Sequence, residues 1–209
     1  MIDRPVSVRR PRIVALGGNA TTGGSAERLL RHALARCEAR GADTMLFAGE
    51  AIDLPLYAPH HSERCAKAEA LTGALRDAEG IIVASPAYHG TVSGVVKNAL
   101  DYAQDLVSDA QPYFDGRAVG LVAVAGGWQA AGSTLATLRS ITHALRGWPT
   151  PMAVTANSSQ PLFDPDGLLT DEGIAVQIDI MTSQVMMFAR MKAAYDPAGA
   201  QRQPEVQRA

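Results

Sequence analysis

Gly80-Ile81-Ile82-Val83-Ala84-Ser85-Pro86-Ala87-Tyr88-His89-Gly90-Thr91, continued by Val92-Ser93-Gly94-Val95-Val96-Lys97-Asn98-Ala99-Leu100-Asp101-Tyr102, decides the fold. Residues 80–84 form a short unbroken apolar run, the pattern of a strand buried on both faces. Pro86 cannot donate to a ladder, so the strand is expected to end there sharply. From about residue 94 to residue 106 the apolar positions return at helical spacing. The unit is strand, exposed-backbone loop, helix.

The same unit recurs on both sides. Strand-length apolar runs lie at residues 12–16, 44–48, 118–125 and 151–156, each bounded by Gly, Pro or Ser. Helical periods occupy about 25–40, 63–78 and 131–146. In the first of these, Leu30, Ala33, Leu34 and Cys37 share a face. A last helix carries Ile174, Ile178, Met181, Val185 and Phe188 at four- and three-residue steps, with Thr170 as its expected cap and Asp171 and Glu172 in its first turn. Strand–helix alternation with right-handed crossovers gives an α/β fold, a doubly wound five-stranded parallel sheet with helices on both faces. Its expected strand order is the flavodoxin-like 2-1-3-4-5. Residues 12–194 are read as one domain, with polar tails at 1–11 and 195–209.

Composition narrows the function. A net charge of −2 over 209 residues gives no reason to expect nucleic acid or an anionic membrane as partner. It also argues against a strongly acidic electron carrier. Cys37 and Cys65 are isolated and read as small, buried or half-buried thiols. Arg9-Arg10 is followed by an apolar run, residues 13–16, too short for a signal core, and a cytoplasmic protein is expected. His60-His61 and Glu63 lack a third spaced ligand, so no metal site is expected.

In an open α/β sheet the ligand lies beyond the carboxyl ends of the strands, where the strand order reverses. Three loops meet there. The first, Gly17-Gly18-Asn19-Ala20-Thr21-Thr22-Gly23-Gly24-Ser25, enters a helix with small residues and grouped hydroxyls. Gly24 is followed by Ser25-Ala26 where a P-loop needs Lys-Ser/Thr, so ATP or GTP is not expected. The spacing is not G-x-G-x-x-G, although Glu50, just after strand 2, sits where a ribose-binding acid would stand and keeps a dinucleotide site open. The third reading is a monophosphate nest of Gly18, Asn19, Thr21, Gly24 and Ser25, using hydroxyls and amides; a merely flexible glycine loop is the fourth. The second loop, Ser85 to Gly90, offers backbone donors and acceptors with Tyr88 and His89. The third, Gly126-Gly127-Trp128, follows strand 4. Trp128 either covers a ligand or packs on its own loop. Lys97 and Asp101, at i and i+4, read as a helix-face ion pair, and Asn98 as a loop anchor.

The segment from Ser85 to Asp101 resembles the signature of the NAD(P)H-dependent FMN reductase family, roughly S-P-x-Y-[NH]-G-x-x-x-G-x-x-K-N-A-[LI]-D. Ser85, Pro86, Tyr88, His89, Gly90, Gly94, Lys97, Asn98, Ala99, Leu100 and Asp101 match it. Ala87 stands where many members carry Glu, and the first loop is longer than the family's short form. The resemblance implies non-covalent FMN, its phosphate on the first loop and its isoalloxazine against Ser85, Pro86, Ala87, Tyr88, His89 and Gly90, flanked by Gly126, Gly127 and Trp128. It implies NADH or NADPH as co-substrate, and a flavin, quinone or similar small acceptor served by a ping-pong mechanism. The alternative is an FMN-dependent dehydrogenase of a biosynthetic intermediate. Tyr88 and His89 are the candidate proton donors. A homodimer or homotetramer is implied, with Met181, Met186, Met187, Met191 and the Tyr113-Phe114 loop as expected contacts.

Overall fold

The computed structural model describes residues 10–61 and 63–195. The two expected tails fall almost wholly outside them. Pro11 is buried and its carbonyl accepts a 3.0 Å hydrogen bond from Asp43 N, so close packing begins just ahead of the first strand.

The central sheet runs β2 (Asp43–Phe47), β1 (Arg12–Gly17), β3 (Gly80–Tyr88), β5 (Ala118–Ala125), all parallel, and closes on a fifth strand in two pieces. Those pieces, β6 (Trp148–Pro149) and β7 (Val154–Asn157), both pair with β5, as Ala118↔Trp148 and Val122↔Val154. The order is the expected one. The fifth strand differs from the single run read at 151–156 because Pro149 and Pro151 cannot donate to the ladder. The carbonyls freed there are met by side chains: Arg139 donates to Thr150 O at 3.2 Å and Pro151 O at 3.1 Å.

Strand alternation sorts the core into two layers. Ile13, Ala15, Ile82 and Val122 face α1 (Ser25–Ala39) and α5 (Glu172–Tyr195). Val14, Leu16, Ile81 and Leu121 face the other side, with Leu71 and Leu75 of α2 (Ala66–Asp77), Val96 and Leu100 of α3 (Gly94–Asp101) and Leu138 of α4 (Trp128–Ala144). Gly80 and Gly120 leave gaps that α5 fills. A Cβ on Gly80 would lie 2.6 Å from Val185 Cγ1, and one on Gly120 3.0 Å from Met181 Sδ.

Four sequence expectations are revised. Strand β3 does not stop at Pro86: it runs to Tyr88, with Pro86 in register with Val124. Pro86 lies beyond Ala84, the last β1 partner, where the ladder asks no further donor on that side. The chain then turns through His89 (φ 50) and Gly90 (φ 92), the paired positive φ of a type I′ hairpin, into β4 (Thr91–Val92). Helix α5 is capped by Asp171, whose carboxylate accepts from Ile174 N at 2.9 Å, not by Thr170. Helix α4 starts at Trp128, three residues earlier than expected, because Gly127 serves as its N-cap. Met181, Met186 and Phe114 belong to the core, which removes them from any contact surface, while Met187 and Met191 are exposed. Cys37 is buried and burial pushes its thiol up to about 12; Cys65 is exposed. Among the described residues no helix is long and apolar enough to cross a membrane.

Candidate functional site

At the carboxyl ends of β1, β3, β5 and β7 the chain encloses a cavity of about 280 Å³. Its floor depends on Gly17, whose φ is +150 and where a Cβ would lie 1.9 Å from Ala84 O. That carbonyl also accepts from Gly18 N at 3.0 Å, which draws the first loop down onto β3. Only glycine allows this approach.

One wall is the loop entering α1. Gly18, Asn19, Gly24, Ser25 and Ala26 line it, and Gly24 is the N-cap of the helix. The first helical bond runs from Arg28 N to Gly24 O, so the amides of Ser25, Ala26 and Glu27 precede the helical ladder and are free to meet an anion. The buried Glu27 carboxylate accepts from Gly23 N at 2.8 Å and pairs with Arg31 at 2.6 Å. It therefore fixes the loop's path and consumes one amide, while Arg31 offsets its charge. Arg28 does not reach the cavity; its guanidinium lies 3.9 Å over the Phe163 ring.

The facing wall is the β3–β4 hairpin, with Pro86, Ala87 and Tyr88 at the cavity. Tyr88 is half exposed, and its hydroxyl accepts a long 3.4 Å hydrogen bond from Asn19 Nδ2 across the mouth. Two fully buried serines tie the hairpin in place: Ser85 Oγ accepts from Ser93 N at 2.9 Å, and Ser93 Oγ donates to Gly18 O at 3.3 Å. The tip rests on α4, where Ser133 Oγ donates to Gly90 O at 3.1 Å. Val124, Ala125 and Gly126 at the end of β5, and Ser158 after β7, complete the lining.

Of the residues singled out from sequence, Gly18, Asn19, Gly24, Ser25, Pro86, Ala87, Tyr88 and Gly126 come together at the cavity. Thr21, Ser85, His89, Gly90, Gly127 and Trp128 do not line it. Thr21, His89, Gly90 and Trp128 point to the surface, Trp128 with 62% exposure, and Ser85 is enclosed in the hairpin base. Ala26, Val124, Ala125 and Ser158 were not anticipated; Ser158 sits in a loop with no recognisable motif. Glu50 is exposed and lies outside the cavity.

The remaining signature residues are structural. Lys97 and Asp101 form the expected i,i+4 pair at 2.5 Å. Asn98 accepts from Tyr57 N at 2.8 Å and donates to Leu54 O and Pro55 O, anchoring the segment after β2. Arg64 clasps Asp105 through two nitrogens, at 2.7 and 2.8 Å, and lies over the Tyr57 ring. The guanidinium holds the Asp105 carboxyl below its usual range, and burial pushes the Tyr57 and Tyr102 hydroxyls up.

Among the described residues no charged side chain lines the cavity. Its polar groups are neutral donors and acceptors grouped at a helix N-terminus on one side and at an aromatic hairpin on the other. That donor set suits a terminal phosphate joined to a flat ring, and FMN has this form. A volume near the low end of ligand pockets, ~300 Å³, would leave part of such a molecule open to solvent.

A doubly wound parallel sheet of this order, with its site in the loops at the switch point, defines a flavodoxin-like α/β protein. The family model for NADPH-dependent FMN reductase matches residues 11–160, and the chain belongs to that family. A FMN-dependent NADPH-azoreductase of Staphylococcus aureus is 30% identical over 113 residues, 53% of this chain and 56% of that protein. The match therefore spans about half the length of the curated relatives. Among solved structures, FerB, a flavoenzyme NAD(P)H:(acceptor) oxidoreductase from Paracoccus denitrificans, superposes with a TM-score of 0.71 at 17% identity, covering 87% of this chain and 98% of that one. The apo form of the NADH:FMN oxidoreductase EMOB gives 0.65 at 22% identity, covering 85% and 89%. These two likenesses bear on the fold.

Proposed function

We propose that this protein is an FMN-dependent oxidoreductase that passes hydride from NADH or NADPH to a small acceptor such as a flavin, a quinone or an azo compound. The observation that carries the reading is the cavity in which the neutral α1 entry loop meets the Tyr88 hairpin. Family membership and the printed activity of the azoreductase relatives support it.

FMN, when bound, supplies the hydride chemistry; the chain supplies binding, orientation and electrostatics. Ser25 Oγ and the first amides of α1 would hold its phosphate with hydrogen bonds and the positive end of the helix. Asn19 and Tyr88 meet across the mouth through one long hydrogen bond, and the buried Ser85–Ser93–Gly18 links keep the hairpin wall at a fixed distance from the loop. The backbone amides of Ala87 and Gly126, two residues that line the cavity, would be available to favour negative charge on the bound ring. Among the described residues no carboxylate, Lys or Arg lines the cavity, so a proton for the product would come from water or from the Tyr88 hydroxyl. The nicotinamide and the acceptor would occupy the cavity mouth in turn, which gives ping-pong kinetics. The need for an NAD(P)H supply favours a cytoplasmic setting.

The test is a visible spectrum of the purified chain with FMN added, followed by anaerobic titration with NADH and with NADPH. The expected result is one equivalent of FMN retained and bleached by one equivalent of reduced nicotinamide. Binding of FAD in preference to FMN, or no flavin uptake at micromolar FMN, would refute the reading.

A further inference from the structure

The amino end of the sheet carries a second recess, of about 500 Å³, lined by Arg139, His143, Arg146, Gly147, Trp148 and Pro149. It opens beside β6, which pairs with the first residues of β5, whereas the cavity described above lies at the last residues of that strand. The rise from Ala118 to Val124 is about 20 Å, so the two concavities are separate.

Three basic side chains converge on the recess. Arg139 and His143 stand one turn apart on α4, and Arg146 follows just past its end. The Arg139 guanidinium is fixed by bonds to two neutral groups, the carbonyls of Thr150 and Pro151. Among the described residues six arginines pair with a carboxylate, while Arg139 and Arg146 pair with none. Their charge is left uncompensated. His143 adds a ring N–H donor.

Arg146 is held there against its backbone preference. Helix α4 ends in a Schellman turn, with Arg146 N donating to His143 O and Gly147 N to Thr142 O, both at 2.9 Å. These bonds, with Leu145 N on Ile141 O, occupy the last carbonyls and blunt the negative end of the helix. The turn sets Arg146 at φ 62, a left-handed conformation that glycine adopts more easily. Tyr113, whose ring centroid lies 5.4 Å from the Arg146 guanidinium, has φ 56. Two strained residues therefore bring their side chains together at the edge of the recess, and such strain collects where ligands are held.

Trp148 supplies a flat face. It is 60% exposed, and Phe188 braces its ring at a centroid distance of 5.7 Å. A merely solvated basic patch needs neither this indole nor a left-handed Arg. Guanidinium groups take phosphate oxygens in pairs, and an exposed indole stacks on a planar ring. The volume falls within the range of small-molecule sites, ~300–1,000 Å³.

We propose that this recess is a second ligand site, separate from the FMN cavity, which binds a flat-ringed organic phosphate of the purine nucleoside monophosphate class.

Isothermal titration calorimetry of the full chain with FMN present tests this with three probes: AMP, adenosine and inorganic phosphate. AMP is expected to bind with a Kd below about 1 mM, and adenosine and phosphate each at least roughly tenfold more weakly. Arg146→Gly removes the guanidinium and supplies the residue that the turn favours. Its Tm is expected to hold or rise while AMP affinity falls at least ~10-fold, so a loss of binding cannot be a loss of folding. Trp148→Ala is expected to weaken AMP at least ~5-fold and to leave phosphate unchanged. No heat of binding up to about 1 mM AMP, phosphate binding as tightly as AMP, or AMP affinity unchanged in both variants overturns the proposal.

Discussion

Two hydroxyls of the α1 entry loop, four residues apart, have opposite fates in the structure, and this gives the sharpest test of how the site holds a phosphate. Ser25 is the first residue of α1, half-buried, and lines the cavity. Thr21 is exposed and lies outside it. Because no charged side chain of the described residues lines the cavity, neutral donors carry the binding of an anion there. Ser25→Ala removes one hydrogen bond to a charged group and leaves the helix amides in place. The expected loss is about 1–2 kcal/mol, or a Kd for FMN raised roughly 5- to 30-fold. Thr21→Ala removes a hydroxyl that water already serves, and should shift Kd less than about twofold. Quenching of FMN fluorescence on titration with apoprotein measures both. Riboflavin, which lacks the phosphate, supplies the control, since Ser25→Ala should leave its affinity unchanged. The absence of a lining Lys or Arg further predicts that FMN affinity varies little with added salt. Equal losses in the two variants, or an equal loss for riboflavin, would show that Ser25 does not face the phosphate.

Three further outcomes follow from other contacts. Tyr88→Phe should stay near wild type in FMN affinity, because the Asn19–Tyr88 bond is long at 3.4 Å; Tyr88→Ala removes the ring and should cost about 1–2 kcal/mol in the same titration. Arg117, buried to 2% exposure, donates to the carbonyls of Arg76, Ala78 and Tyr113. Arg117→Met leaves these acceptors unmet and should destabilise the fold by about 3–5 kcal/mol, read as a fall of roughly 10 °C in Tm. The Arg64–Asp105 pair makes stability depend on acid: a carboxyl held below its unfolded pKa of about 3.9 stabilises above that pH and loses the effect as pH falls through its folded value. Urea denaturation should show Arg64→Met weaker by about 1–3 kcal/mol at pH 7, with the gap to wild type closing below about pH 4. A gap that stays constant with pH would place the loss in packing against Tyr57.

The sheet was legible because its central strands β1, β3 and β5 are buried on both faces and their apolar runs stand out against helical periods of very different length. What stayed hidden depends on contacts between elements. The hairpin of β3 and β4 was missed because Pro86 reads locally as a stop; its tolerance rests on β1 having already ended at the level of Ala84. His89-Gly90 is a turn of two positive φ angles, yet His is a rarer choice there than Asn or Gly, so the signal is faint. The break in the fifth strand depends on Arg139, a helix residue that answers the carbonyls of Thr150 and Pro151 from outside the strand.

The site was legible as three loops but not as a set of atoms. A grouping of Thr21, Thr22 and Ser25 is visible in the sequence; which hydroxyl faces inward is decided by Glu27, whose carboxylate holds Gly23 N and turns the loop before the helix begins. Ser85 shows the opposite limit. It heads the signature, yet it is fully buried and receives Ser93 N, while Ser93 in turn reaches Gly18 O on the opposite wall. A motif records that a residue type belongs to a site without saying whether it touches the ligand. Here the two serines act by wiring one wall of the cavity to the other, so the spacing between the α1 entry loop and the Tyr88 hairpin is set inside the protein before any ligand arrives. That preorganisation is what neutral donors need: with no charge to draw an anion in, their value lies in being already aimed.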